Sequence, residues 1–369
     1  MASTRMSRWG ADLYTGHTSY ALVANRRRWY TISAVVLVIS IALLGARSLN
    51  PSIEFKGGSE FTVADAAVLG QQPAIDAVAS VKSDEVPRVS TVGKSSIRVQ
   101  TSKLDEAQTV EVAQALATGY DVPLTNISKT FIGPTWGADV SSKALRALVV
   151  FLVLVTLVMT IYFRAWRMAV AALVALLHDL VITVGLYAGV GWEVSPATVI
   201  GFLTILGYSI YDTVVVFDKV RENTEKVTEQ RRFTYGELAN LAVNQTLVRS
   251  INTSVVALLP VTSILFVGTF ILGAGTLRDI SLALFVGMLV GTFSSIFLAT
   301  PLEVTLRERE PRMQAHSKKV HALREQAAVA GTGTEAAALA GVAAYGAHLL
   351  PGQHLGTAAQ PKRRKTAKK

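Results

Sequence analysis

The sequence predicts a polytopic α-helical membrane protein with six transmembrane helices. One ferredoxin-like α+β extracytoplasmic domain is predicted between helices 1 and 2. Three features of the chain point to this fold. Apolar runs of about twenty residues, the length that spans a bilayer, recur six times. Charged residues make up only 17% of the chain, against about a quarter in soluble domains. A long polar stretch separates the first apolar run from the second, and it carries a strand and helix pattern of its own.

Residues 1–29 form a short N-terminal segment ending in Arg26-Arg-Arg28. The first span follows at 30–49. It is too long for a signal-peptide core and no A-x-A site follows it, so it reads as an uncleaved anchor. The polar domain occupies 50–143. Glu60–Val63 suits a strand, Pro73–Val81 a helix and Val86–Val92 a strand. The pattern then repeats as strand Ser96–Thr101, helix Asp105–Ala117 and strand Leu124–Phe131. The hairpin Val92-Gly93-Lys94-Ser95 joins the halves. Asp105 is placed to cap its helix and Gly119 to end it. The order βαββαβ is ferredoxin-like, a fold that hosts many functions.

Residues 144–300 predict a five-helix bundle, with spans at 144–163, 168–189, 194–217, 251–272 and 277–300. The connection 218–250 contains Thr234-Tyr-Gly-Glu237, a capping-box pattern that predicts a short helix along the membrane surface. Residues 301–369 predict a basic, largely disordered tail. It is rich in Ala and Gly from Ala327 to Gln360 and ends in Lys362-Arg-Arg-Lys-Thr-Ala-Lys-Lys369, a patch drawn to anionic lipid or RNA.

Orientation follows from Lys and Arg in the short connections. Arg26–Arg28, Arg164 and Arg167, the basic residues of 218–250 and the tail all fall on one side. The turns at 190–193 and 273–276 have none. Both termini are therefore expected in the cytoplasm, with the polar domain outside. Arg47 and Arg278 are single charges against this trend.

Asp212 is the most informative residue. A carboxylate inside a membrane helix costs roughly 2.5–3.5 kcal/mol on insertion scales, which makes it a functional-site candidate by default. At helical spacing Thr204, Tyr208, Tyr211 and Asp212 share one face of the fourth span. Arg249, opening the fifth span, is the natural charged partner, although a positive flank residue is also expected there. His178 and Asp179 lie mid-span in the third helix. Neighbours on a helix diverge by about 100 degrees, so one of the two is expected to face the bundle, as a proton relay or a structural hydrogen bond. In the sixth span Ala283, Gly287, Gly291, Ser295 and Ala299 recur every fourth residue, a seam for close helix packing, within the chain or against a partner subunit. Gly57-Gly58 allows a tight backbone entry into the polar domain, and Gly133-Pro134 a similar hinge before the second span.

The chain has no cysteine, which removes disulfide, thiol and thiolate-metal chemistry. It contains no G-x-S-x-G, H-E-x-x-H or Walker A pattern. No cofactor is implied, and the energy source is not a bound nucleotide.

Several motifs together resemble the SecF branch of the SecD/SecF protein-export family, within the resistance–nodulation–division superfamily. They are Glu54-Phe-Lys-Gly-Gly58, Gly133-Pro-Thr-Trp-Gly137, the stretch Gly207–Asn223, Arg249-Ser-Ile-Asn-Thr-Ser254 and Ser294-Ser-Ile-Phe-Leu-Ala-Thr-Pro301. The resemblance covers about 30–301. It implies an accessory, non-enzymatic subunit of the Sec translocase. Such a subunit works with a SecD-like partner and the SecY/SecE/SecG channel, and uses protons moving down their gradient to draw out exported polypeptide. It places the family's membrane aspartate on Asp212 and its arginine on Arg249. The family commonly has Asn where this chain has Tyr211. Two other readings fit less of the chain. An intramembrane aspartyl protease would use Asp179 and Asp212, but Asp179 follows Ala175-Leu-Leu-His rather than a Gly-x-Gly pattern. Another proton-driven exporter of the superfamily would carry two halves and larger outer domains.

Overall fold

The computed structural model describes residues 5–15, 18–93, 95–270 and 275–329. In chain order the helices and strands begin with α1 (Arg5–Thr15), α2 (Arg26–Arg47), β1 (Asn50–Pro51) and α3 (Ile53–Lys56). The α+β domain follows as β2 (Gly58–Val63), α4 (Gln72–Val81), β3 (Arg88–Val92), β4 (Ser96–Thr101), α5 (Glu106–Gly119) and β5 (Ile127–Ile132). Then come α6 (Pro134–Phe163), α7 (Trp166–Val190), β6 (Glu193–Val194), α8 (Pro196–Thr224), α9 (Tyr235–Phe270), α10 (Gly275–Ser294), a π-helical turn (Ser295–Ala299), α11 (Thr300–Glu308) and α12 (Pro311–Val329).

Among the described residues, six helices are long and apolar enough to cross a membrane. The protein is a multi-pass membrane protein, as the apolar runs indicated. Helices α7, α8 and α10 form the centre of the bundle. About half of each span is buried there, whereas the apolar surfaces of α2, α6 and α9 are largely exposed. Helix α2 crosses α7 so closely that a Cβ on Gly185 would strike the Ser40 side chain and backbone. Small residues permit such crossings, where van der Waals contact substitutes for a hydrophobic driving force.

The α+β domain has one antiparallel sheet of order β3-β4-β2-β5. Placing the first and third strands at the centre is the ferredoxin-like arrangement. Its core is Phe61, Val63, Ala74, Val78, Ile97, Val99, Val112, Leu116 and Ile127, all buried. The alternation of these residues along the strands sets the register. Asp105 caps α5, accepting from Gln108 N at 2.7 Å while Gln108 Oε1 accepts from Asp105 N at 3.1 Å. Gly57 and Gly58 have φ of 77° and 153°, a backbone that L side chains rarely adopt. A Cβ on Gly58 would also collide with the Thr101 carbonyl oxygen. Three strand starts differ from expectation: β2 begins two residues early, at Gly58, and two others begin late. Val86 is exposed and precedes β3, while Leu124–Asn126 is a 3-10 turn before β5. Lys94 of the expected hairpin lies outside the described residues.

A small junction ties this domain to the bundle. β1 pairs in parallel with β6, the short strand between α7 and α8. Gln100 Nε2 donates at 3.0 Å to both Glu60 Oε2 and Glu193 Oε1. Burial raises the Glu193 pKa above the usual carboxylate value; the bond from Gln100 opposes this and the charge of Asp279 adds to it.

At the opposite end of the bundle two expectations need correction. The capping box is present, with Thr234 N donating to Glu237 Oε2 at 2.8 Å and Glu237 N to Thr234 Oγ1 at 3.3 Å. It starts a single 36-residue helix that runs on into the fifth span, not a separate surface helix. From 235 to 270 the helix is continuous, with Pro260 inside it. Beyond 301 the chain continues as α11 and, after a turn at Arg309–Glu310, as α12 as far as Val329, where a disordered tail was expected. Met313, His316 and Val320 bury one side of α12, and Arg324 forks onto Glu237 at 2.7 and 2.8 Å. Residues 330–369, including the basic terminus, lie outside the described residues.

Candidate functional site

The site begins with two small-residue stripes that let α8 and α10 touch. Gly201 lies against Ala283, Ile205 against Gly287 and Ser209 against Gly291. A Cβ on Gly287 would overlap Ile205. The seam in the sixth span therefore packs within the chain. One step further along the same contact stands Asp212.

Asp212 is 4% exposed. Its Oδ1 accepts a hydrogen bond from Ser250 Oγ on α9 at 2.7 Å, and its Oδ2 a short one from Ser295 Oγ at the π turn. No cation lies within ion-pair distance of it among the described residues. A buried carboxylate held only by neutral hydroxyls is an uncompensated charge whenever it is ionised, and such a charge is expensive in low dielectric.

The expected face of α8 is only partly realised. Tyr208 is half-buried and donates to Ser254 Oγ at 3.2 Å. Thr204 and Tyr211 are exposed. Eight residues turn a helix by about 80 degrees beyond two full turns, enough to move Thr204 off the face of Asp212. The buried stripe is instead Gly201, Ile205, Ser209, Asp212 and Val216.

Arg249 is not in contact with Asp212. It is exposed, and it lines a cleft of about 670 Å³ with Gly10, Tyr14, Asp218, Lys219, Glu222 and Asn252. The reason is helical geometry. Arg249 and Ser250 diverge by about 100 degrees on an unbroken helix, and Ser250 takes the position that faces the bundle. Helix α1 forms one wall of the cleft, since Gln245 Nε2 donates to the Tyr14 carbonyl oxygen at 3.1 Å.

His178 and Asp179 both turn inward, where only one was expected. Asp179 is fully buried and His178 is 6% exposed. Their side chains meet each other, with His178 Nδ1 3.1 Å from Asp179 Oδ1. A one-residue separation permits this because each side chain bends toward the other. His178 Nε2 is buried without a partner among the described residues. Asp179 Oδ2 accepts from Ser209 Oγ and from Ser294 Oγ, each at 2.7 Å. No hydrogen bond joins Asp179 to Asp212 among the described residues; each carboxylate has its own serine donors.

Four serines that the sequence reading did not single out as donors thus build both carboxylate sites: Ser209, Ser250, Ser294 and, known only as a packing residue, Ser295. Each sat in a quoted motif. Ser209 is three residues before Asp212, Ser250 follows Arg249, and Ser294-Ser295 is an adjacent pair. Two further buried carboxylates were missed. Asp279 accepts from Ser195 Oγ at 2.9 Å, and Glu303 accepts from Tyr235 OH at 2.6 Å. Glu303 lay inside the stretch 301–369 that was read as tail, which hid it. No group of three or more His, Cys, Asp or Glu residues is placed to hold a metal among the described residues.

Comparison with known proteins places this architecture. The family described as "Protein export membrane protein SecD/SecF, C-terminal" matches residues 112–309. The protein translocase subunit SecF of Streptomyces coelicolor is 47% identical over 337 residues, covering 91% of this chain and 89% of that protein. SecF of Mycobacterium tuberculosis strain H37Rv is 40% identical over 329 residues, covering 87% and 74%. A crystal structure of SecDF from Thermus thermophilus, described as a translocon-associated membrane protein, superimposes with a TM-score of 0.69 at 30% identity. It covers 79% of this chain, which spans only 39% of that longer one.

Proposed function

The chain belongs to the SecF branch of the SecD/SecF protein-export family, and from that premise we propose that it turns proton movement into work on exported polypeptide. Its role as an accessory subunit of the Sec translocase, with a SecD partner, comes with the family. The proposal adds where and how. The chain lies in a bacterial cytoplasmic membrane with both termini in the cytoplasm, a placement supported by the Lys and Arg bias of its connections. It works beside the SecY/SecE/SecG channel, with its α+β domain handling emerging polypeptide, and it does no covalent chemistry of its own. The basic terminus engages anionic lipid.

Asp212 is the proton carrier in this reading. The observation that carries it is the isolation of Asp212 among hydroxyls in the bundle centre. Serine hydroxyls can donate to an ionised carboxylate and accept from a protonated one, so the site accommodates both states without rebuilding. Arg249 stands in the adjacent cleft, beside Asp218 and Glu222. Its approach to Asp212 in another conformation would stabilise the ionised form and complete a release step. Asp179 and His178 form a second proton-transfer locus further along the bundle. Tyr208 supports the site through Ser254; Tyr211 and Thr204 face outward, where a partner subunit packs.

The test is Asp212→Asn in cells and in membrane vesicles. Gradient-dependent stimulation of export is expected to vanish, while copurification with the SecD-type partner is unchanged. Normal gradient-driven export by this variant would sink the carrier role.

A further inference from the structure

Asp179 does more than occupy a neighbouring position. Its Oδ2 accepts two hydrogen bonds of 2.7 Å from two different helices, from Ser209 on α8 and Ser294 at the end of α10. Each donor sits one helical step from the Asp212 site. Ser209 precedes Asp212 by three residues on α8, about one turn. Ser294 directly precedes Ser295, which donates to Asp212 Oδ2. At that point the chain leaves the α-helical pattern and makes the π turn Ser295–Ala299. Single π turns are frequent at functional sites, because the extra residue per turn re-aims the side chains that follow. Here it aims two adjacent serines at carboxylates on two different helices. Close approach makes the arrangement stiff, since a Cβ on Gly291 would lie 3.1 Å from Ser209 Cβ and 3.6 Å from Asp179 Oδ2.

We infer that Asp179 and Asp212 form one coupled unit, in which Asp179 clamps together the segments of α8 and α10 that carry Asp212 and its donor, with Ser209 and Ser294 as positioning residues. This rests on Asp212 being the proton carrier. An ionised carboxylate is acceptor only, whereas a protonated one must give up acceptor capacity or donate. A proton placed on Asp179 Oδ2, the oxygen that accepts from both Ser209 and Ser294, takes up acceptor capacity there and disturbs one of the two clamping bonds. The disturbance reaches Asp212 through one turn of α8 and one residue of α10. The titratable and charged groups facing the pair are few. Among the described residues they are His178 on α7 and Tyr208 on α8, beside the two carboxylates themselves. Among the described residues helix α9 presents Ser250 and Ser254, with Arg249 turned to the cleft. Helix α10 presents Thr292, Ser294 and Ser295.

The experiment uses the full-length chain purified with its SecD-type partner. It follows labelling of Asp212 by dicyclohexylcarbodiimide, quantified on the Asp212 peptide by mass spectrometry. Ser294→Ala and Ser209→Ala, which remove hydroxyls bonded to Asp179 alone of the two carboxylates, are each expected to change the Asp212 labelling rate by about fivefold or more. Ser294→Thr restores the wild-type rate. In an Asp179→Asn background the Ser294→Ala change has no further effect, whereas a role in packing alone would persist. Wild-type labelling of Asp212 in both alanine variants, beside altered labelling in Ser295→Ala, overturns the coupling. Should either alanine variant fail to assemble with the partner, the other carries the same test. Failure of the carrier reading looks different: it appears as intact gradient-driven export in Asp212→Asn, whatever the labelling shows.

Discussion

Ser250 Oγ donates to Asp212 Oδ1 at 2.7 Å, so the helix that bears Arg249 meets the membrane carboxylate through a neutral hydroxyl. The guanidinium, one residue earlier, is left in the cleft. In this conformation Arg249 contributes nothing direct to holding Asp212. Arg249→Met should therefore leave folding and partner assembly intact, with the loss confined to turnover. Gradient-driven export is expected to fall by roughly tenfold or more, the scale of one lost charge interaction of about 1.4 kcal/mol. Export rates in vesicles with and without a gradient check this. Reduced protein levels with normal specific export would instead make Arg249 a topology residue.

The α8–α10 seam predicts a steric effect. Gly287→Val places its Cβ where Ile205 already stands. Overpacking of this kind typically costs about 1–3 kcal/mol. A lower unfolding temperature in detergent is expected, with partial recovery when Ile205→Ala is added. Absence of recovery would show that another neighbour resists the new side chain.

Glu193 predicts a pH effect at the junction. Its pKa is raised in the folded protein, first by burial, so the neutral form is the one the junction favours. The sign follows from linkage. The stabilising contribution is complete below the ordinary carboxylate value and is lost as pH rises through the raised value. Hydrogen exchange at β1 and β6 should therefore quicken across that interval. Glu193→Gln, which keeps the bond with Gln100 but does not titrate, should remove the part of the change that exceeds the intrinsic pH dependence of amide exchange.

Asp105→Ala removes the cap of α5. The expected loss is about 1 kcal/mol, read as faster amide exchange in the first turn of α5, with the sheet unaffected. Asp105→Ser should recover most of it.

The spans and the ferredoxin-like order were legible because each rests on periodicity or length, which a sequence displays directly. Asp212 was legible for a related reason, since a carboxylate in an apolar run stands out by cost. Its partners were not. Serine is unremarkable in a membrane helix, and nothing in the spacing of Ser250 and Ser295 distinguishes a donor from a packing residue. Arg249 misled because charge suggests pairing, while rotation along an unbroken helix decides which neighbour arrives. Thr204 and Tyr211 misled because a broad face was counted as one surface. The α12 segment was hidden by its charge: three buried positions in a basic stretch form too narrow a stripe to announce a docked helix.

The two-residue pairing of β1 with β6 places a backbone handle at a sensitive point. β6 lies between α7 and α8, the helices that bear Asp179 and Asp212, and β1 is joined through α3 to the sheet of the α+β domain. Asp212 is 17 residues along α8 from Ser195, about 25 Å at 1.5 Å per residue. Over that length a rotation of a few degrees at the carboxylate end becomes a displacement of an ångström or more at the strand pair. Helix α8 is thus a rigid arm with a hydrogen-bonded carboxylate on its length and, at its start, the strand pair that ties the bundle to the domain.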